Sequence, residues 1–432
     1  MQSAPSPAPR RLLDVQAHEW PALAASFAYF FCLLAGYYIL RPIRDAMGVA
    51  IGAQQLPMLF TLTFAAMLAL VPLFGWLCAR LPRARLLPVL YGFFALNLAG
   101  FWWAMRADVP AHQLGPLFFV WVSVYNLFVV SVFWSFMADL YAPAQAGRLY
   151  GTIAAGGSSG AIAGPALTAM FAERLGTPAL LLVSAAFLLA AMACIAVLAR
   201  WARRHPRPAE PHPDQALGGS VLAGLTGVLR SRYLLGICGY LLCYTLLSTV
   251  LYFQQVEIVG REVGDRESRT RLFASVDLAV NTLTLLTQVL LFSTLLRRLG
   301  PGWMLALMPL ASIAGFALLG AAPVLAVLIA FGVLRRAGEF ALSKPMRETL
   351  FAAVPREERY KAKNFIDTAI YRGGDTASGW LFNGLRALGM SLSAISWAMV
   401  PVALGWTALA FWLGRRNSEL RRTQEPSPSA RV

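Results

Sequence analysis

Apolar residues in this chain come in long unbroken runs, not in the alternating or one-faced patterns of a soluble domain. The first six lie near Ala22–Leu40, Leu56–Ala79, Leu86–Met105, Leu114–Ala138, Leu149–Phe171 and Pro178–Leu198. Six more lie near Tyr233–Val256, Leu272–Leu296, Trp303–Gly320, Pro323–Leu342, Phe365–Leu385 and Ser391–Leu413. A helix crossing a bilayer needs about 20 such residues, because lipid offers its backbone N–H and C=O groups no other partner. The pattern predicts an all-α membrane protein of 12 transmembrane helices. The polar stretch before the first run lacks a short apolar core with a small-residue cleavage site, so the first run reads as a retained helix.

One long polar interruption divides the pattern. Residues 200–232 contain RRHPRPAEPHPD, whose prolines and mixed charge read as a linker. The expected organisation is an N-terminal six-helix bundle (1–199), a cytoplasmic linker (200–232), a C-terminal six-helix bundle (233–414) and a cytoplasmic tail (415–432). The halves echo each other: Gly75 to Arg85 closes the second run much as Leu295 to Gly300 closes the eighth.

Composition agrees with lipid as the solvent, at 58% hydrophobic and 13% charged residues. The formal charge of +16 is a matter of topology. Arg80, Arg83, Arg85, Arg148, the linker, Arg297, Arg298, the 344–363 loop, Arg415 and Arg416 all fall on one side if the N-terminus is inside. On the other side, Arg261 to Arg271 are balanced by Glu257, Glu262, Asp265 and Glu267. The positive-inside rule then places both termini in the cytoplasm of a bacterial inner membrane. Scattered basic residues without an aromatic-interleaved patch exclude a nucleic-acid partner. The five cysteines lie inside apolar runs and the four histidines outside them, which excludes a disulfide framework, a histidine proton relay and a metal site. No cofactor is expected, and no phosphate-binding loop of an ATPase is present.

A charge inside a spanning helix is costly and marks a functional candidate. Four clusters qualify. Tyr37, Arg41 and Arg44 share a helical face beside Asp45, and Pro42 is expected to bend the helix there; alternatively these charges are its solvated outer end. Asp277, Asn281, Thr284 and Gln288 form one polar stripe, with Asp277 either facing a cavity or in a wet first turn. Arg335, Arg336 and Glu339 are spaced to pair, as a buried triad or as an anion site with one arginine in excess. Asp367, Tyr371 and Ser378 share a face, with Arg372 and Asp375 nearby. The corresponding first-half segment, Arg148 to Gly160, is neutral and glycine-rich and reads as helix packing. The three lysines, Lys344, Lys361 and Lys363, lie in one loop and helix start.

Six helices, a basic linker and six helices resemble the plan of the major facilitator superfamily. Its signature between the second and third helices is matched by Gly75, Arg80 and Arg83, with Ala79 in place of the Asp and Pro82 in place of a Gly. Two segments resemble a narrower family, the NTP/NDP exchange transporters of the ATP/ADP translocase type and their free-living bacterial relatives. Leu40-Arg41-Pro42-Ile43-Arg44-Asp45 is similar to that family's L-R-x-x-K-D. Lys361-x-Lys363-x-x-Ile366-Asp367 followed by Arg372-x-Gly374 is similar to its K-x-K-x-x-I-D…R-x-G-K-S-G, and Val130 to Trp134 is a looser match. The resemblance implies counter-exchange of a phosphate-bearing anion, with Arg44 where the family has a substrate-binding Lys. The chain departs from it at Asp375, which takes the place of the second Lys, and in having no acidic residue between Leu114 and Met137.

The expected function is therefore a monomeric secondary transporter, not an enzyme, moving a small organic anion across the bilayer by alternating access, as exchanger or proton-coupled carrier. Candidate substrate contacts are Tyr37, Arg41, Arg44, Asn281, Arg336 and Arg372. Asp45, Asp277, Glu339, Asp367 and Asp375 are candidates for pairing or coupling. Alternatives are a proton-coupled exporter of drugs or peptides, suggested by the aromatic content, and a polytopic receptor or channel.

Overall fold

A computed structural model describes residues 15–80, 83–107, 109–205, 228–229, 231–351, 354, 362–363 and 366–424. The described residues are helical almost throughout. The first half comprises α1 (Trp20–Ile51), α2 (Leu56–Arg80), α3 (Arg83–Arg106), α4 (Ala111–Leu140) and α5 (Pro143–Arg204). The second comprises α6 (Arg232–Glu262), α7 (Arg266–Leu286), α8 (Phe292–Ala321), α9 (Leu325–Gly338), α10 (Lys344–Phe351), α11 (Tyr371–Ala387) and α12 (Leu392–Gln424). Most of the linker, Lys361 and the end of the tail lie outside the described residues, as do the side chains of Arg80, Arg83 and Asp367.

Among the described residues, seven continuous stretches are long and apolar enough to cross a bilayer, and two of them, 60 and 56 residues long, suffice for two crossings each. Both leave the helical conformation at a glycine with positive φ, Gly176 (75°) and Gly300 (73°), a backbone conformation that a side chain would strain. With α2, α9–α10 and α11 added, this arrangement is consistent with 12 crossings. Large apolar side chains on the outer faces, among them Val89, Leu96, Trp103, Leu117 and Val289, are exposed as a lipid-facing surface requires.

Among the described residues, three π-helical turns interrupt the second half: Thr287–Leu291 between α7 and α8, Glu339–Ser343 between α9 and α10, and Ile366–Ile370 before α11. Each inserts an extra residue into the helical register, so side-chain spacing counted at 3.6 residues per turn fails across it.

Two helix ends differ from expectation. The first helix does not end or break at Pro42 but runs on to Ile51. Pro42 removes one intrahelical bond, and the long packing of α1 against α5 holds the turns on either side. Arg41, Arg44 and Asp45 are thus inside a helix and not at a solvated end. In α7, the Asp265 carboxylate accepts the Ser268 N–H (2.7 Å) and starts the helix at Arg266, one and a half turns earlier than its apolar run suggests. That bond holds the exposed Asp265 carboxyl below the usual carboxylate range. Asp277 consequently lies three turns into the helix, not in a wet first turn.

A run of glycines on α5 acts in packing. Gly156, Gly160 and Gly164 face the backbone of α1, where a Cβ would collide with the carbonyls of Phe27, Phe31 and Ala35. Gly151, one helical face away, has open space around it. Gly160→Leu should therefore lower stability by about 1–3 kcal/mol through overpacking, read as a lower melting temperature in detergent, while Gly151→Ala should melt like the parent.

Candidate functional site

Seven of the described charged residues line a cavity of about 290 Å³ between the halves. Its wall carries five arginines, Arg41, Arg44, Arg335, Arg336 and Arg372, against two carboxylates, Asp45 and Asp375. Ten residues of α1, about 15 Å at helical rise, separate Arg41 from the helix end at Ile51.

At that end the halves are joined: Arg271 pairs with Glu173 (2.8 Å), Asn383 Nδ2 donates to the Gln54 carbonyl (2.7 Å) and Trp380 to Thr61 (3.1 Å). Deeper along α7, one turn beyond Asp277, Asn281 Nδ2 donates to the Ala161 carbonyl (2.6 Å) and also links the halves. Apolar packing adds to this: Ala46, Val49, Ala53, Leu56, Leu59 and Phe119 of the first half belong to the hydrophobic core of the second.

The polar groups in the cavity are held in a definite order. Asp277, 1% exposed, accepts from Arg336 Nη2 of α9 at 2.6 Å and lies 3.6 Å from Arg41 Nε of α1. One carboxylate thus joins cations from both halves. Arg44 bonds Asp45 through Nε (3.1 Å) and Nη2 (2.8 Å), and the Tyr252 hydroxyl donates to the same carboxylate from α6 (3.2 Å). Asp375 accepts from Thr249 (3.4 Å), and Arg335 Nη2 donates to Ser248 (2.5 Å) while lying over the Tyr244 ring. Aromatic rings complete the wall: Phe60 stacks between Phe119 (6.1 Å) and Tyr252 (5.9 Å), and Arg44 lies over Phe119.

Of the residues singled out from sequence, Arg41, Arg44, Asp45, Arg336, Arg372 and Asp375 line the cavity, and Asp277 is bonded just behind it. Tyr37 is instead in the first half's core, edge-on to Tyr38. The Asn281 amide is occupied in joining the halves, and Gln288, displaced by the π turn, donates to the Phe340 carbonyl. Glu339 pairs with Arg347 (3.4 Å) and not with Arg335 or Arg336, so the triad suggested by their spacing does not form. Arg336 has the stronger attachment to Asp277.

Sequence reasoning missed the α6 contribution. Tyr244, Ser248, Thr249, Tyr252 and Gln255 all line the cavity. Their spacing of 4, 1, 3 and 3 is a polar stripe at helical period on an apolar helix, a signal present in the sequence but without a formal charge to draw attention.

Residues 27–260, more than half of the chain, match the profile of the Major Facilitator Superfamily. The chain belongs to that superfamily. It is thus a multi-pass secondary transporter and not an enzyme. No curated protein matches it by sequence. Its fold is similar to that of a bacterial homologue of the lysosomal transporter Spinster, in an inward-facing, unoccupied conformation (TM-score 0.58, 13% identity, 96% of this chain and 100% of that one). It is also similar to an inward-facing bacterial homologue of the iron transporter ferroportin (TM-score 0.61, 17% identity, 93% and 98%). A third likeness is to the nucleoside transporter NupG (TM-score 0.61, 14% identity, 94% and 99%).

The Asp277 bridge leads to a direct expectation. Removing one member of a buried ion pair costs about 3–5 kcal/mol, because its partners keep an uncompensated charge. Asp277→Asn should lower the melting temperature markedly, and Asp277→Asn combined with Arg336→Gln should recover part of the loss; equal melting of the single variant and the parent would show that the bridge does not form.

Proposed function

We propose that this transporter carries a small organic anion, with phosphate-bearing solutes the favoured class, by alternating access through the arginine-lined cavity. The observation that carries this reading is the charge of the wall. Five arginines face two carboxylates, an excess of three positive charges, which falls to two when Asp277 is included. Uncompensated charge at membrane depth is unfavourable, and an anionic solute bonded to guanidinium groups offsets it.

The resemblance of the Arg41–Asp45 and Lys361–Gly374 segments to NTP/NDP exchangers supports the same class. In that reading Arg44 and Arg372 stand at the family's cationic positions, and Asp375 sets this chain apart from an ATP/ADP exchanger. The stacked Phe60, Phe119 and Tyr252 rings add an apolar wall suited to the organic part of the solute. The basic connections lie at the end away from the joined halves, so the positive-inside rule gives a cavity that faces the cytoplasm. Transport then requires the contacts around Glu173, Gln54 and Thr61 to open while the opposite ends close.

The aromatic wall favours a second reading, a proton-coupled exporter of apolar or cationic drugs. Uptake into proteoliposomes separates the two. Labelled ATP, glucose 6-phosphate and citrate would be offered in turn, with and without the same solute inside. The anion reading predicts saturable uptake of at least one. Arg372→Gln should lower its kcat/KM at least tenfold, since a charge-assisted hydrogen bond contributes about 1.5–3 kcal/mol. Unchanged anion uptake in that variant, or transport of a cationic dye alone, would contradict it.

A further inference from the structure

The five cavity arginines are not equivalent. Arg44 presents Nε and Nη2, one complete edge of its guanidinium, to Asp45. Arg336 bonds Asp277, and Arg41 faces the same carboxylate as a 3.6 Å ion pair in which its Nε has no hydrogen-bond partner. Arg335 differs from all three in having no carboxylate paired with it among the described residues. Its side chain is 3% exposed, it lines the cavity, and only Nη2 has a partner, the Ser248 hydroxyl. Nε and Nη1 are buried without any hydrogen-bond partner. Among the described residues no carboxylate pairs with it, because Glu339, one turn on, is bonded to Arg347.

A guanidinium has five N–H donors in a rigid planar fork. With one occupied by Ser248, Arg335 retains an edge on which two parallel N–H groups are free, which matches two oxygens of a carboxylate or phosphate. Buried donors are normally bonded. A guanidinium that is desolvated, oriented by Ser248 and by the Tyr244 ring at 5.4 Å, and left without an acceptor for Nε and Nη1 is arranged for a ligand that arrives from outside the protein.

We propose that Arg335 is the primary anion-binding residue of the cavity, gripping an oxyanion through one guanidinium edge. Arg41, Arg44 and Arg336 are held by the protein's own carboxylates. Arg372, which also lines the cavity and pairs with no carboxylate among the described residues, supplies the second free cation. The inference rests on the anion reading above; it keeps Arg372 from the sequence-based set of Arg41, Arg44, Arg336 and Arg372 and puts Arg335, which that set lacks, first.

The test is the affinity of the purified full-length protein for inorganic phosphate and for citrate, measured by titration calorimetry. Arg335→Lys, which keeps the charge but loses the planar fork, and Arg336→Lys would be compared with the parent. Arg335→Lys should raise the Kd at least about tenfold, and Arg336→Lys should change it far less. An unchanged Kd in Arg335→Lys, or an equal loss in Arg336→Lys, would overturn the assignment. A parent protein that binds neither anion would contradict the anion reading itself, so the two failures are distinguishable.

Discussion

A buried carboxylate between two arginines organises this molecule. Asp277 projects from α7 to meet Arg41 of the first half and Arg336 of the second. Each of these groups alone would be costly in a spanning helix, and together they compensate one another. The bridge places α1, α7 and α9 around a common point and leaves the remaining arginines facing an open space. Attraction between the halves and the charge excess of the cavity therefore have one source. The same carboxylate that joins the halves is too few to neutralise the cations around it.

The rest of the architecture supports that point. Glycines let α5 lie close on α1, which stiffens the helix carrying Arg41 and Arg44 through its internal proline. Between the bridge and the helix ends, apolar packing of Ala46 to Leu59 against the second half closes one end of the cavity, and a belt of polar contacts closes it further. Exposed pairs such as Arg271–Glu173 contribute little to stability in themselves, which suits contacts that a transporter must break and remake in each cycle. The π turns lie in the second half, at Glu339–Ser343 directly after the cavity arginines and at Ile366–Ile370 directly before Tyr371 and Arg372. Such turns recur at functional sites, where a locally changed register re-aims side chains.

Much of the fold was legible because lipid imposes a simple rule: each crossing must be apolar and helical, so runs such as Leu56–Ala79 and Leu114–Ala138 mark helices within a few residues. The charged part of the cavity was legible for the same reason, since charge in an apolar run stands out. What sequence could not supply was partner choice. Arg335 and Arg336 are adjacent in sequence, yet one turns to Ser248 and the other to Asp277, and Glu339 goes to Arg347 instead of either. Those choices depend on which helices meet, not on spacing along one of them. Neutral polar residues were missed where charges were noticed, as Ser248, Thr249 and Tyr252 on α6 show. The helix start at Asp265 was missed because polar residues precede the apolar run, and with it the burial of Asp277.

The most direct test of this account is the distance between the halves at the closed end, measured by pulsed electron spin resonance. Spin labels would be placed at Leu175→Cys and Gly264→Cys, on either side of the belt, in a background lacking the native cysteines. With Asp277 intact the account predicts a short, narrow distance distribution, and Asp277→Asn should shift it to longer and broader values as the halves lose their shared charge bridge. A distribution that is the same with and without the carboxylate would contradict the claim that Asp277 holds the two halves around the cavity.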